Sequence, residues 1–359
     1  MTETKMPKLL SPINSYEGAE RVVKAGADEL YCGVGIPEFE RFFGRPYLGG
    51  PIRGPACSIP TYDELGSVVK VAHANDVEVL LTMNYPFMTD SMEKAMERHI
   101  RLCIDEGVDA IILENPSVLS IIKKIDKNLP LYASMYNVSL NYETCIFLKK
   151  AGFSRVVLEC HLTIPEITEI VKKSGIDVEV FIHGAGCSNL QRTCTLLHYR
   201  FPEMNDALSS NESFFKHPCQ LPFDIYDGDK NHVLDKNIRI LDAQTSCSVC
   251  KIPELIETGA IGFKITGRCA GIAYQETTTK IYRELIDLIK EGRSNEFNEK
   301  VNEIKIGTHP FPGIPASLEE IYCEQKRCHY PPLFHAPYKS HFSWHTWTKS
   351  KFKFMRVEK

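Results

Sequence analysis

Short apolar runs alternate along this chain with longer stretches in which apolar positions recur every three to four residues. The first kind reads as buried strands and the second as amphipathic helices. KLLSPIN (8–14) predicts a strand, and SYEGAERVVKAG (15–26) the helix behind it. Ser15 is placed to cap that helix and Gly26 to stop it. Gly18 stands where a full capping box would carry an acid. Further strands are predicted at 27–34, 78–84, 108–115, 130–135, 154–160, 177–184 and 261–267. Helices are predicted at 61–76, 90–107, 117–127, 142–152, 164–175 and 274–292.

Parallel strands need crossover connections, so this alternation predicts an α/β fold with a parallel sheet. Eight units favour closure into a (β/α)8, TIM-like barrel over an open sheet. VVKAGADELYCG, CIDEGVDAIILEN and LKKAGFSRVVLEC repeat one device, a helix that stops at Gly just before an apolar strand. No glycine-rich phosphate fingerprint and no P-loop appears, which lowers the dinucleotide-binding alternative.

Two insertions break the rhythm. The first, 35–60, holds five Gly and five Pro with Arg41, Arg45 and Arg53. It follows the second strand at the end where barrels place their active sites. The second, 187–252, lies between the seventh strand and the last. The expected organisation is a barrel over 1–300 carrying that insertion, then a C-terminal extension over 301–359. The tail from Tyr338 to Lys359 interleaves Lys339, Lys349, Lys351, Lys353, Arg356 and Lys359 with Trp344 and Trp347. Such a tail reads either as an RNA or partner contact or as an arm packed on the barrel.

A 43% apolar and 25% charged composition is that of a globular protein with a sizeable core, and a net charge of −4 gives no global pull toward nucleic acid or anionic membrane. The opening MTETKMPKLLSP has no apolar run of signal-peptide length, and no stretch approaches a membrane span, so a cytoplasmic protein is expected. Thirteen cysteines in a reducing compartment argue against a disulfide framework. Cys32, Cys103 and Cys145, within apolar runs, read as small buried hydrophobes.

The second insertion is different. HGAGCSNLQRTC, KHPCQ and TSCSVC place Cys187, Cys194, Cys219 and Cys247 along it, with Cys250 close behind. Four thiolates are the usual complement of an iron–sulfur cluster, and zinc accepts the same set. From spacing alone, cluster, zinc and unrelated thiols all stay open. The Cys247-x-x-Cys250 pair also admits a redox dithiol. Cys323 and Cys328, beside His329, lack a further ligand in the sequence to complete a second site.

FIHGAGC–x6–C, then PCQLPFDIYD, then C–x4–IPELIETGAIGFKITGR resemble the collagenase-like peptidase family U-32. LLSPINSYEGAERVVKAGADELYCG resembles its opening barrel unit, and ASMYNVSLNYETCIFLKKAGFSRVVLE its fifth and sixth. The similarity runs from about Lys8 to Lys290. It implies a barrel with a [4Fe–4S] cluster on Cys187, Cys194, Cys219 and Cys247, with zinc as the alternative metal. Cys247 is preferred to Cys250 by its distance to IPEL. The family name implies proteolysis. Several members instead resemble oxygen-independent hydroxylation factors acting on ubiquinone precursors or on tRNA and rRNA bases, some with prephenate as the implied oxygen source. This chain departs from the family at strand ends: Glu159-Cys160-His161-Leu162 stands for a Ser-Arg-Glu-Leu-like segment, and Thr266-Gly267-Arg268 for Glu-Gly-Arg.

The residues themselves give proteolysis little support, having no HExxH, no GxSxG and no evident Ser-His-Asp order. Side chains at the C-terminal strand ends are the natural site candidates. His183, Lys264 and Arg268 are expected to handle protons and orient an anionic co-substrate. Asn84, Glu114, Asn137, Glu159 and Arg192 are expected to contact substrate. Glu159, Cys160 and His161 are not expected to converge, because neighbours on an extended strand face opposite ways. The leading expectation is an iron–sulfur barrel enzyme that hydroxylates a small aromatic, a nucleobase or a peptide. A peptidase, or a cluster-bearing subunit needing a paralogous barrel partner, is the alternative.

Overall fold

The computed structural model describes residues 5–35, 57–85, 88–184, 190, 223–226, 233–238, 247–268, 270–306, 323 and 328–330. Eight parallel strands close into a barrel: β1 (Lys8–Pro12), β2 (Glu29–Cys32), β3 (Glu78–Met83), β4 (Ala110–Leu113), β5 (Leu131–Ala133), β6 (Arg155–Val157), β7 (Asp177–His183) and, last, Gly262–Ile265. Between β7 and that last strand the insertion carries an antiparallel pair, β8 (Phe223–Tyr226) and β9 (Val233–Ile238), so the closing strand is β10. It pairs β1 on one side and β7 on the other. The fold class is the predicted one. The pair β8–β9, the helix Ile252–Glu257 and the helix Ser294–Ile306 were not. Six residues are too few to show a helical period, although Pro253 marks the start of the shorter helix.

Local chemistry sets the element ends. Ser15 Oγ accepts the Gly18 backbone N–H at 3.1 Å, capping the helix Tyr16–Lys24. Thr163 and Glu166 form a full capping box on the helix Ile164–Ser174. Gly152 closes the helix Tyr142–Ala151 with φ 109°, a left-handed conformation that costs glycine little. β6 starts three residues later, as the repeated sequence device predicts.

One apolar layer lies between barrel and helices and includes Cys32, Cys103 and Cys145, all fully buried. A second lies inside the barrel, built from Leu10, Tyr31, Leu80, Ile112, Tyr132, Val157 and Phe181. Below it, an ionic network fills the lumen. Arg155 donates to both carboxylate oxygens of Glu29, at 2.7 and 2.9 Å, and to Glu179 at 3.1 Å. Lys264 donates to Glu179 at 2.9 Å, and Lys8 lies 3.2 Å from Glu29 and 2.5 Å from Glu78. The Arg155 guanidinium covers Tyr132 and the Lys264 ammonium covers Tyr31, 4.1 and 4.2 Å from the ring centres. Three cations thus meet three carboxylates. Burial works against ionising Glu29, but Arg155 and Lys8 outweigh it and hold its carboxyl below the usual range.

His99, on the helix Asp90–Asp105, is buried and meets Tyr62 Oη at 2.9 Å through Nδ1. Burial pushes its imidazole down to about 3. An unfolded histidine takes up its proton near pH 6.5, as an order-of-magnitude reference. Below that pH the unfolded chain binds the extra proton and the folded one does not. His99 therefore lets stability stand in full above about pH 6.5 and erodes it as pH falls toward 3, by up to roughly 1.4 kcal/mol per pH unit. His99→Gln is expected to flatten the stability difference between pH 7 and pH 5 in urea unfolding. An unchanged slope would contradict this.

Candidate functional site

The C-terminal ends of the strands gather polar side chains over the apolar lumen. Arg268, just beyond β10, reaches across the mouth and donates through Nη1 to Thr82 Oγ1 of β3 at 2.7 Å. Thr82 Oγ1 in turn donates to the Cys32 carbonyl at 2.8 Å, so it presents a lone pair to the guanidinium. The Arg268 guanidinium carbon lies 5.8 Å from the centre of the Tyr31 ring. Tyr31 Oη donates to the Ile265 carbonyl at 2.9 Å, which fixes that ring under the arginine. Asn84, two residues beyond Thr82, is buried, and its Oδ1 accepts no hydrogen bond from the described residues. Glu114 and Glu159 are buried at the ends of β4 and β6.

β6 ends at Val157, earlier than the predicted 154–160, and Cys160 and His161 lie in a turn. The expectation that strand alternation would keep Glu159, Cys160 and His161 apart is therefore wrong. His161 Nδ1 meets Glu159 Oε2 at 2.6 Å and Cys160 Sγ at 3.8 Å. One donor atom from each residue lies within 4.8 Å of the other two. Carboxylate, thiol and imidazole together could grip a transition-metal cation or store a proton at Nδ1. They do not form a nucleophilic relay. Such a relay uses one imidazole nitrogen for the acid and the other for the nucleophile, whereas both neighbours here face Nδ1.

His183 ends β7, fully buried, with Nδ1 3.1 Å from Tyr282 Oη on the helix Ile272–Lys290. Tyr282 Oη donates to the Ile182 carbonyl at 2.8 Å. Cys247 pairs with His183 in an isolated antiparallel bridge, which brings this thiol to the barrel mouth. Burial first, then the thiols of Cys250 and Cys323, push Cys247 up to about 12, opposed by the Val249 amide and Tyr282. Cys247 also forms a parallel bridge with Cys328. The two pairs that the sequence kept apart, Cys247/Cys250 and Cys323/Cys328, thus come together. Cys57, fully buried beyond β2, is disulfide-bonded.

Other predicted positions are placed as follows. Lys264, expected at the rim to orient an anionic co-substrate, lies instead inside the lumen within the ionic network, paired with Glu179. Asn137 turns inward, Nδ2 donating to the Leu113 and Ser134 carbonyls at 2.9 and 3.1 Å. Cys187, Cys194, Cys219 and Arg192 lie outside the described residues, as does the tail 338–359. Thr82, Tyr31 and Tyr282 were missed from sequence. Thr82 had one signal, as the single polar residue within VLLTM on the side of the strand shared with Asn84. No helix among the described residues is long and apolar enough to cross a membrane.

The model of the family described as peptidase family U32 matches residues 14–309. The tRNA hydroxylation protein P1 of Bacillus subtilis is 25% identical over 345 residues, covering 90% of this chain and 75% of that protein. A 23S rRNA 5-hydroxycytidine synthase of Escherichia coli is 27% identical over 290 residues, 80% of this chain but 40% of that enzyme. An uncharacterized protease of Methanocaldococcus jannaschii is 30% identical over 296 residues, 80% of this chain and 67% of that protein.

Proposed function

This chain belongs to peptidase family U32, and from that premise we propose that it is an enzyme that hydroxylates an RNA nucleobase at the barrel mouth without dioxygen, using an iron–sulfur cluster. The observation that carries the reading is Arg268, held over Tyr31 and Thr82 at the rim, together with relatives named for tRNA and rRNA hydroxylation. A guanidinium so fixed can fork onto a phosphate or carboxylate, so it anchors either the RNA backbone or an anionic oxygen donor. The buried Asn84 Oδ1 is set to accept an N–H from a base edge. Glu159 holds His161 Nδ1 and readies that imidazole to give or take a proton while a bound anionic oxygen donor gives up one oxygen atom, itself reduced by two electrons, as C–H becomes C–OH. His183, tied to Tyr282, stiffens the end of β7 from which the chain runs toward Cys187.

The reading takes Cys187, Cys194 and Cys219 as cluster thiolates, with Cys247 as the fourth by its match to the family motif. Cys247 fits in kind, a buried thiol beside His183 at the mouth. The cluster would supply one-electron chemistry that side chains cannot. Anaerobically purified protein is expected to be brown, with iron and acid-labile sulfide in roughly equal amounts, about four or more of each per chain. Cys187→Ala and Cys194→Ala are expected to lose about four of each. A colourless protein after reconstitution would overturn the reading.

Peptide hydrolysis is the second reading, favoured by the adjacency of Cys160 and His161 and by the name of the archaeal relative. The shared use of Nδ1 weighs against it.

A further inference from the structure

β6 stops at Val157, and the chain turns at Cys160 and His161 before the helix Ile164–Ser174. Both flanks of that turn are fixed. Before it, the Leu158 N–H donates to the Glu179 carbonyl at 2.9 Å and the Glu159 N–H to the Ser139 carbonyl at 3.5 Å. After it, Leu162 is buried, and the capping box of Thr163 and Glu166 pins the helix start, the Thr163 N–H donating to Glu166 Oε2 at 2.8 Å. A turn held at both ends brings three successive side chains together, which an extended strand would not. A carboxylate oxygen of Glu159, the sulfur of Cys160 and a ring nitrogen of His161 lie within 4.8 Å of one another.

We propose that Glu159, Cys160 and His161 bind one divalent transition-metal ion of the zinc class at the barrel mouth. The donor set decides the kind of ion. Magnesium and calcium take oxygen ligands, whereas zinc accepts oxygen, nitrogen and sulfur together. The spacing agrees. Bonds of about 2.0–2.3 Å set tetrahedral ligand atoms about 3.3–3.8 Å apart. Cys160 Sγ lies 3.8 Å from His161 Nδ1. Glu159 Oε2 is closer to Nδ1, at 2.6 Å, the length of a charge-assisted hydrogen bond. The cation replaces the proton of that bond, and the two atoms part by less than about 1 Å. The imidazole can move to allow this, because its side chain is 35% exposed, while the Glu159 side chain is fully buried. A carboxylate out of water is stabilised by a cation beside it.

A second observation lies next to the turn. The Ser139 hydroxyl is fully buried and has no hydrogen-bond partner among the described residues. It follows Val138, whose left-handed backbone, φ 54°, is one that β-branched residues avoid. An unused hydroxyl beside the Glu159 backbone is suited to hold a ligating carboxylate or a metal-bound water in place. Among the described residues the metal-sized group stops at three. Structural zinc sites are closed by four protein ligands, and three leave one place open for water or a substrate oxygen. In the metal-loaded protein that water, made more acidic by the cation, takes over the proton assigned above to Nδ1. The site uses none of Cys187, Cys194, Cys219 and Cys247, so it stands whether or not they hold a cluster.

The test is zinc and iron content of the full-length protein, purified anaerobically, followed by cobalt(II) titration read through the thiolate-to-cobalt absorption band. Wild type is compared with Cys160→Ser, His161→Ala, Glu159→Gln and the double variant Cys187→Ala/Cys194→Ala. The proposal expects about one zinc per chain, present in wild type and in the double variant and absent from Cys160→Ser. The cobalt band that wild type gains over Cys160→Ser should need at least about 10-fold more cobalt in His161→Ala and Glu159→Gln. Iron should match wild type in all three single variants and fall only in the double variant, so the fate of the cluster is read separately. Equal zinc and equal cobalt spectra in wild type and Cys160→Ser would overturn the proposal. So would unchanged cobalt affinity in His161→Ala, which would leave a thiol acting alone, or loss of about four irons in Cys160→Ser, which would make Cys160 a cluster ligand. Should Glu159→Gln fail to fold, the partly exposed Cys160 and His161 decide the matter by themselves.

Discussion

Arg155→Ala is expected to lose about 3–5 kcal/mol of stability, the range for removing one partner from a buried ion pair. Arg155 is 5% exposed at its side chain and is the only described cation within hydrogen-bonding distance of both Glu29 and Glu179. Both carboxylates are fully buried. Removing the guanidinium leaves Glu29 with Lys8 at 3.2 Å and Glu179 with Lys264 at 2.9 Å, and it uncovers Tyr132. The carboxylates must then protonate or draw water into the lumen, and both cost stability. Lys264→Met is expected to cost less, since Arg155 still serves Glu179. The check is the urea midpoint at pH 7, with unchanged slope showing that the unfolding reaction is the same. A loss below about 1 kcal/mol for Arg155→Ala would mean that the network is solvated after all.

Arg268→Ala is expected to leave the fold in place and lower turnover on RNA by about 100-fold, the scale of a charged anchor near reacting groups. Its contact to Thr82 is one bond at the rim, so the midpoint should move by about 1 kcal/mol or less. Arg268→Lys should restore little of the rate, because an ammonium cannot fork onto two oxygens. If KM rises and kcat holds, the arginine binds substrate uniformly; if both kcat and kcat/KM fall, it acts on the reacting centre. Full activity in Arg268→Ala would remove the arginine from the site.

Much of the barrel was legible because apolar runs and Gly stops recur at fixed intervals, and both follow from local chemistry. Gly152, with its left-handed backbone, is an example that sequence alone identifies. The lumen was less legible. Glu29, Arg155 and Glu179 each look like a stray charge in an apolar run, and only closure of the barrel brings them together. Lys264 was read as a rim residue because its place near the last strand's end was visible and its partner was not. The turn at Cys160–His161 was hidden for a related reason: RVVLEC continues the strand pattern three residues past the last ladder pairing. The thiols show both sides. Spacing singled out Cys247, but its neighbours Cys323 and Cys328 come from 76 and 81 positions further on, beyond the reach of any local motif.

The most direct test is mass spectrometry of nucleosides from tRNA and rRNA of cells grown anaerobically, with the gene intact, deleted, and restored as wild type or Arg268→Ala. The account predicts one nucleoside heavier by an oxygen atom that vanishes on deletion, returns with wild type and stays low with Arg268→Ala. Identical nucleoside profiles in all four strains would contradict it.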